Sequence, residues 1–219
     1  STATLTVDNT LPTVPTVTSL VTNSTMPTIT GTWVEENPAI DLSVLVNGKT
    51  YALGTDTELT ASAATWSLSV PTEAELSGET YDVLVTATDA AGNSSSDTGA
   101  GELTIDLDEP DNQDIVFDTD QTVQGGIAVT LASASGELKV WFAPSNITSV
   151  ADLTVTDGST MSSAAGGGTS LYSPDVTGSY KLYVVDAAGN ISAASTATLT
   201  VDNTLPTVPT VTSLVTNST

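Results

Sequence analysis

LSVLVNG, residues 42–48, decides the fold class. Leu42, Val44 and Val46 recur at a spacing of two, which puts them on one face of an extended strand. Asn47-Gly48 follows at once, the dipeptide that most strongly marks a two-residue hairpin turn. The same period-two pattern returns at 66–70, 81–85, 127–131, 138–142 and 180–184. These runs are rich in Val, Thr, Leu and aromatics, and clusters of Gly, Pro, Asn and Asp separate them. No segment carries an apolar stripe of helical period; Thr72–Leu76 reads as one short helical turn. Short strands with turn signals every 8–12 residues predict an all-β fold, a two-sheet antiparallel β-sandwich. Trp33, Trp66 and Trp141 are expected to serve as packing residues.

Composition narrows the chemistry. The 219 residues carry 26 Asp+Glu against 3 Lys+Arg, a formal net charge of −23, with no Cys and no His. Lys49, Lys139 and Lys181 cannot neutralise a phosphate backbone or hold an anionic membrane surface, so no nucleic acid and no membrane insertion is expected. Without Cys or His there is no thiol nucleophile, imidazole base, disulfide or zinc-finger site. Hard cations with oxygen ligands are the metal class left. Thr and Ser fill 41 and 25 positions, yet 39% of the chain is hydrophobic, enough for folded cores. No apolar run approaches the ~18 residues of a membrane span. STATLTVDNT at the start lacks the features of a signal peptide and is expected to be an internal piece of a longer chain.

The sequence repeats itself. Residues 1–25 recur unchanged at 195–219, an offset of 194. Inside that period DAAGN occurs at 89–93 and again at 186–190, 97 residues apart and half the long period. Each DAAGN precedes an apolar strand ending in Asp, Leu103–Asp106 and Leu199–Asp202. The unit therefore divides into two diverged domains, 9–106 and 107–202. Residues 1–8 are expected to be the C-terminal strand and linker of a preceding repeat, and 203–219 the start of the next.

GTW (31–33), WSLSVP (66–71), TATDAAGNSS (86–95) and TVDNTLPTVPTV (6–17) together resemble the bacterial Ig-like repeats of giant surface adhesins. Those repeats are the tandem extender modules of RTX and biofilm-associated adhesins. The first domain carries the whole pattern. The second keeps DAAGN and the last two strands but lacks GTW and WSxSVP, and it inserts a Gly-rich stretch at 164–168. The resemblance implies two tandem immunoglobulin-like sandwiches end to end, secreted through a type I route to the bacterial cell surface. It also implies junctions that bind calcium.

The residues support that expectation independently. In an immunoglobulin-type sandwich the entering chain passes the loop between the last two strands. Asp8 and Asn9 are thus expected near Asp89 and Asn93, with Glu35 and Glu36 contributed from the loop after GTW. For the second domain Asp106, Asp108 and Asp111 are expected to meet Asp186 and Asn190, and Asp202 begins a third junction. Acids converging from several segments repel unless a cation lies among them, and Ca2+ accepts six to eight oxygens in flexible geometry. A lone Asp in such a loop also reads as a turn residue bonding its own backbone.

The leading function is a structural spacer in an adhesin, with neighbouring copies of the repeat as partners and a monomeric state. Repetition adds length without new chemistry. The alternative is a carbohydrate- or protein-binding adhesion module, for which the Gly-rich stretch with Tyr172 is the place to look. No enzymatic activity is expected: Ser has no base to activate it, and a carboxylate pair needs a cleft.

Overall fold

The computed structural model describes residues 7–34, 41–154 and 159–210. They form two compact units. One takes in the chain up to Glu109 together with Asp186–Asn190; the other takes in Pro110–Val185 and the chain from Ile191 on. Among the described residues no helix is long and apolar enough to cross a membrane.

The first unit has strands β1 (Thr16–Val17), β2 (Leu20–Thr22), β3 (Thr28–Thr32), β4 (Asp41–Val46), β5 (Lys49–Ala52), β6 (Leu59–Ala61), β7 (Thr65–Ser69), β8 (Thr80–Tyr81), β9 (Val83–Thr88), β10 (Ser94–Ser96) and β11 (Leu103–Ile105). They make sheets in the orders β1-β3-β7-β6, β10-β9-β4-β5 and β2-β11-β8. The β4–β5 hairpin turns at Asn47 (φ 47°) and Gly48 (φ 75°), the two positive angles that a type I′ turn requires. Leu42, Val44 and Val46 are buried, as are Val83, Val85 and Ala87 opposite them on β9. Ile29, Trp66, Leu68, Leu103 and Ile105 complete one core between the sheets.

GTW has a packing explanation. Trp66 Nε1 donates to the Thr16 carbonyl at 3.0 Å, and Trp33 Nε1 donates to Ser62 O at 2.6 Å. A side chain at Gly31 would collide with Thr16 O and the Trp66 indole, so only glycine admits this approach.

The second unit begins with a four-residue helix, α1 (Gln113–Val116), which the sequence pattern does not announce because one turn is too short for a helical period. Its strands are β12 (Gln121–Val123), β13 (Ala128–Thr130), β14 (Lys139–Ala143), β15 (Ser162–Ala165), β16 (Ser170–Tyr172), β17 (Gly178–Val185) and β18 (Leu199–Val201). Five pair in the order β12-β18-β17-β14-β15, and β13 pairs β16. The Gly-rich stretch is the passage from β15 to β16. There Gly167 adopts φ 85°, and a β-carbon at Gly166 would strike the Glu137 carbonyl.

Two features depart from a simple antiparallel sandwich. First, each unit has one parallel pair, between an early strand and its last one: β2 with β11, and β12 with β18. Asp106 N then donates to Thr22 O at 3.0 Å, and Asp202 N to Val123 O at 2.9 Å. Second, β14 and β17 are buried on both faces. Val140, Phe142, Leu182 and Val184 face the main core, while Trp141, Ala143, Tyr183 and Val185 face a second cluster with Leu153. Ile147 and Met161 pack against that cluster, and Tyr183 Oη donates to Pro144 O at 3.1 Å. Ile147, Leu153 and Met161 thus add a second apolar layer, which gives Trp141 its packing partners.

Candidate metal centre

Both DAAGN loops close on themselves by the same chemistry. Asp89 Oδ1 accepts from Ala91 N (2.9 Å) and Asn93 N (2.8 Å), and Oδ2 accepts from Asn93 Nδ2 at 2.8 Å. Asp186 Oδ1 accepts from Gly189 N and Asn190 N, both at 2.8 Å, and Oδ2 from Asn190 Nδ2 at 2.8 Å. Gly92 (φ 92°) and Gly189 (φ 95°) provide the left-handed residue that brings the following Asn back over the carboxylate. The Asn93 side chain and the loop N–H groups hold the Asp89 carboxyl below the ordinary aspartate value. Asp186 is 7% exposed and Asn190 8%, so in this loop the hydrogen bonds satisfy buried polar groups.

The same asparagines reach the linker segments. Asn93 Nδ2 donates to the Asp8 carbonyl at 3.1 Å, and Asn190 Nδ2 to the Asp106 carbonyl at 3.0 Å. In the second loop Ala188 O also accepts from Asn23 N at 3.1 Å. It is the backbone of the linker aspartate that each Asn grips. The aspartate side chain turns away to make its own Asx turn: Asp8 Oδ1 accepts from Thr10 N, Asp106 Oδ1 from Asp108 N and Asp202 Oδ1 from Thr204 N. Bonds from Thr204, side chain first and then backbone, hold the Asp202 carboxyl below its ordinary value.

Asn203 is used differently: its Oδ1 accepts from Gly125 N and its Nδ2 donates to Asp175 O, both at 2.8 Å. Asn9, Asp108 and Asp111 are exposed. Glu35 and Glu36 lie outside the described residues.

Asp106 and Asp108 line a cleft of about 250 Å³ with Gly78, Glu79, Thr80 and Thr104. Nothing in the local sequence marks Glu79 as more than a surface acid. The pairing of Ile105 N to Glu79 O, at 2.9 Å, is what brings it to the start of the linker. Among the described residues no three acidic side chains already converge as a metal-holding group. The donors at this cleft are nonetheless all oxygen, which is the ligand class of a hard cation.

Asp120 and Asp114 have backbone work, while Asp118 Oδ1 accepts from the Thr119 hydroxyl at 2.8 Å. Asp120 Oδ1 accepts from Thr198 N (2.7 Å) and Asp114 Oδ1 from Thr196 N (2.6 Å), while Lys181 Nζ donates to the carbonyls of Thr196 and Ala197.

The chain is similar to fibronectin(III)-like modules of Clostridium thermocellum CbhA, at 11% identity and TM-score 0.43, covering 85% of this chain and 93% of that one. It is similar to a 1.5-MDa bacterial ice-binding adhesin at 17% identity and TM-score 0.33, covering 87% and 66%. A chimeric titin Z1Z2 tandem is 20% identical with TM-score 0.30, covering 85% and 96%. No curated protein matches the sequence. The sandwich that carries GTW, WSLSV and the first DAAGN is the one a known family describes: the Bacterial Ig-like domain model matches residues 13–107.

Proposed function

We propose that this chain is a spacer segment of a bacterial cell-surface adhesin, built to add length and stiffened by calcium at the linker acids. The observation that carries the reading is the parallel pairing of an early strand with the last one in each unit. Two strands running the same way bring the chain in at one end of a sandwich and out at the other. Each added unit then contributes its length, which is what tandem repetition serves. The repeated Asn-to-carbonyl bond, Asn93 to Asp8 and Asn190 to Asp106, supports the same reading, since it fixes the direction of the linker backbone.

Calcium would be held by Asp106 and Asp108 with Glu79, and by Asp8, Asp111 and Asp202 where neighbouring copies supply further oxygens. The ion's part is to neutralise these carboxylates and tie the linker down; the protein's own part is to present oxygens from separate segments. Extracellular modules of this type hold calcium at about 10⁻⁴ to 10⁻³ M, matched to a calcium-rich medium outside the cell. Secretion through a type I route and a biofilm setting belong to the same proposal.

Small-angle X-ray scattering in chelator and then in millimolar calcium tests it. The expected result is a longer, narrower distance distribution with calcium, lost in D106A/D108A while both sandwiches stay folded. An unchanged profile in the wild-type chain would remove calcium from the reading. A carbohydrate-binding role would have to use Tyr172, 66% exposed, since the other nine aromatic side chains are buried. A glycan screen with Y172A addresses it.

A further inference from the structure

A carboxylate oxygen inside the first unit has no partner. Glu102 is 8% exposed; its Oε2 accepts from Val83 N at 3.3 Å, while Oε1 is buried and receives no hydrogen bond. Glu102 ends the loop Asp97-Thr98-Gly99-Ala100-Gly101-Glu102 between β10 and β11. A β-carbon placed on Gly99 would collide with Glu102 Oε1 and would stand 3.1 Å from Asp97 Oδ2. The two carboxylates therefore meet over the same glycine, no farther apart than one calcium ion bridges, about 5 Å.

The loop around them is held firmly. Asp97 N donates to Val85 O and Leu20 N to Glu102 O, at 2.9 and 2.8 Å, and Asp82 Oδ1 accepts from Gly101 N at 2.6 Å. Gly101 itself takes φ 71°. No lysine is spent here: Lys49 lies over the Tyr51 ring, Lys181 binds the Thr196 and Ala197 carbonyls and the Thr198 hydroxyl, and Lys139 belongs to β14 of the second unit.

A buried carboxylate beside another must be neutralised by a proton or by a cation. We propose that Glu102 Oε1 and Asp97 Oδ2 bind a hard divalent cation of the calcium class within the first unit. Two carboxylates match its charge. The exposed Thr98–Ala100 side of the loop leaves carbonyls and water to complete six to eight oxygens. The ion would pin the β10–β11 loop against β9 and β2, independently of any ion at the linker. This accounts for a glycine at 99, whose missing side chain is the space the carboxylate occupies.

The test is amide NMR of the full chain during titration with calcium chloride. Gly99, Ala100 and Gly101 report this site, and Asp106 and Asp108 report the linker. The expected result is a saturable shift of the 99–101 amides that weakens at least tenfold in E102Q, while the linker amides respond as in wild type. D97N, at a half-buried position, serves as the second variant and should weaken the same shifts if E102Q does not fold. Amides 99–101 that stay still up to about 10 mM calcium, while 106 and 108 move, would overturn the proposal. So would shifts unchanged in both variants. Silence of 106 and 108 alone would count against calcium at the linker and leave this site standing.

Discussion

Asn93 and Asn190 each join a loop aspartate to a linker carbonyl with one amide group. Their motif was legible because a glycine at positive φ and an Asx turn are local preferences. The strand order also forecast that Asp8 would come near Asn93 and Asp106 near Asn190; that each amide takes the aspartate's backbone carbonyl, 85 and 84 residues away, was not legible. The hydrogen bonds to Asp89 have a consequence in acid. A carboxyl whose folded pKa lies below its unfolded value adds stability that is complete above the ordinary value of 3.8 and is lost as pH falls through the lower folded value. Asp152, held down by Thr148 and Ser149, and Asp202 act in the same direction. Urea midpoints should therefore drop as pH falls below about 4, and D89N should flatten part of that drop. An acid limb as steep in D89N as in wild type would assign the loss to other carboxyls.

Strand β17 shows how an element can be completed by side chains. Ser192 Oγ accepts from Val184 N and Ser195 Oγ from Leu182 N, both at 2.9 Å, while the two serine amides donate to the carbonyls of the same residues. Hydroxyl groups thus stand where a regular partner strand would offer carbonyls. In the first unit the corresponding pairing is the ordinary one of β10 with β9. Ser195 is 2% exposed, so S195A would leave the Leu182 amide buried and unpaired. The expected cost is about 1–3 kcal/mol in urea unfolding, and S192A should behave alike. Glycine at 31 is the matching case for β3: G31A should destabilise by about 1–3 kcal/mol by forcing β1 and Trp66 apart. A wild-type midpoint in G31A would show that this contact relaxes without cost. The strand period forecast β17, but serines in a Ser/Thr-rich chain carry no mark of which ones bridge.

Across the whole molecule the dominant quantity is the net charge of −23. Like charges repel most in the compact state, so added salt should raise the thermal midpoint. Bound calcium should raise it further at equal ionic strength. With a dissociation constant of 10⁻⁴ to 10⁻³ M, 10 mM calcium would add about 1.4–2.7 kcal/mol for each ion bound only when folded. Equal midpoints in calcium and sodium at matched ionic strength would reduce the acids to general screening.

Strands, the Asn47-Gly48 hairpin, the repeat and the DAAGN turns were determined by the sequence alone, because each follows from period or φ preference within a few residues. Tertiary structure decided the rest. It chose which early strand runs parallel to the last. It covered Trp141 and Tyr183 with a second apolar layer. It set Glu79 beside Asp106 and Asp108, and Glu102 beside Asp97. Those juxtapositions depend on segments brought together by packing, and no local spacing encodes the distance between two side chains on separate strands and loops.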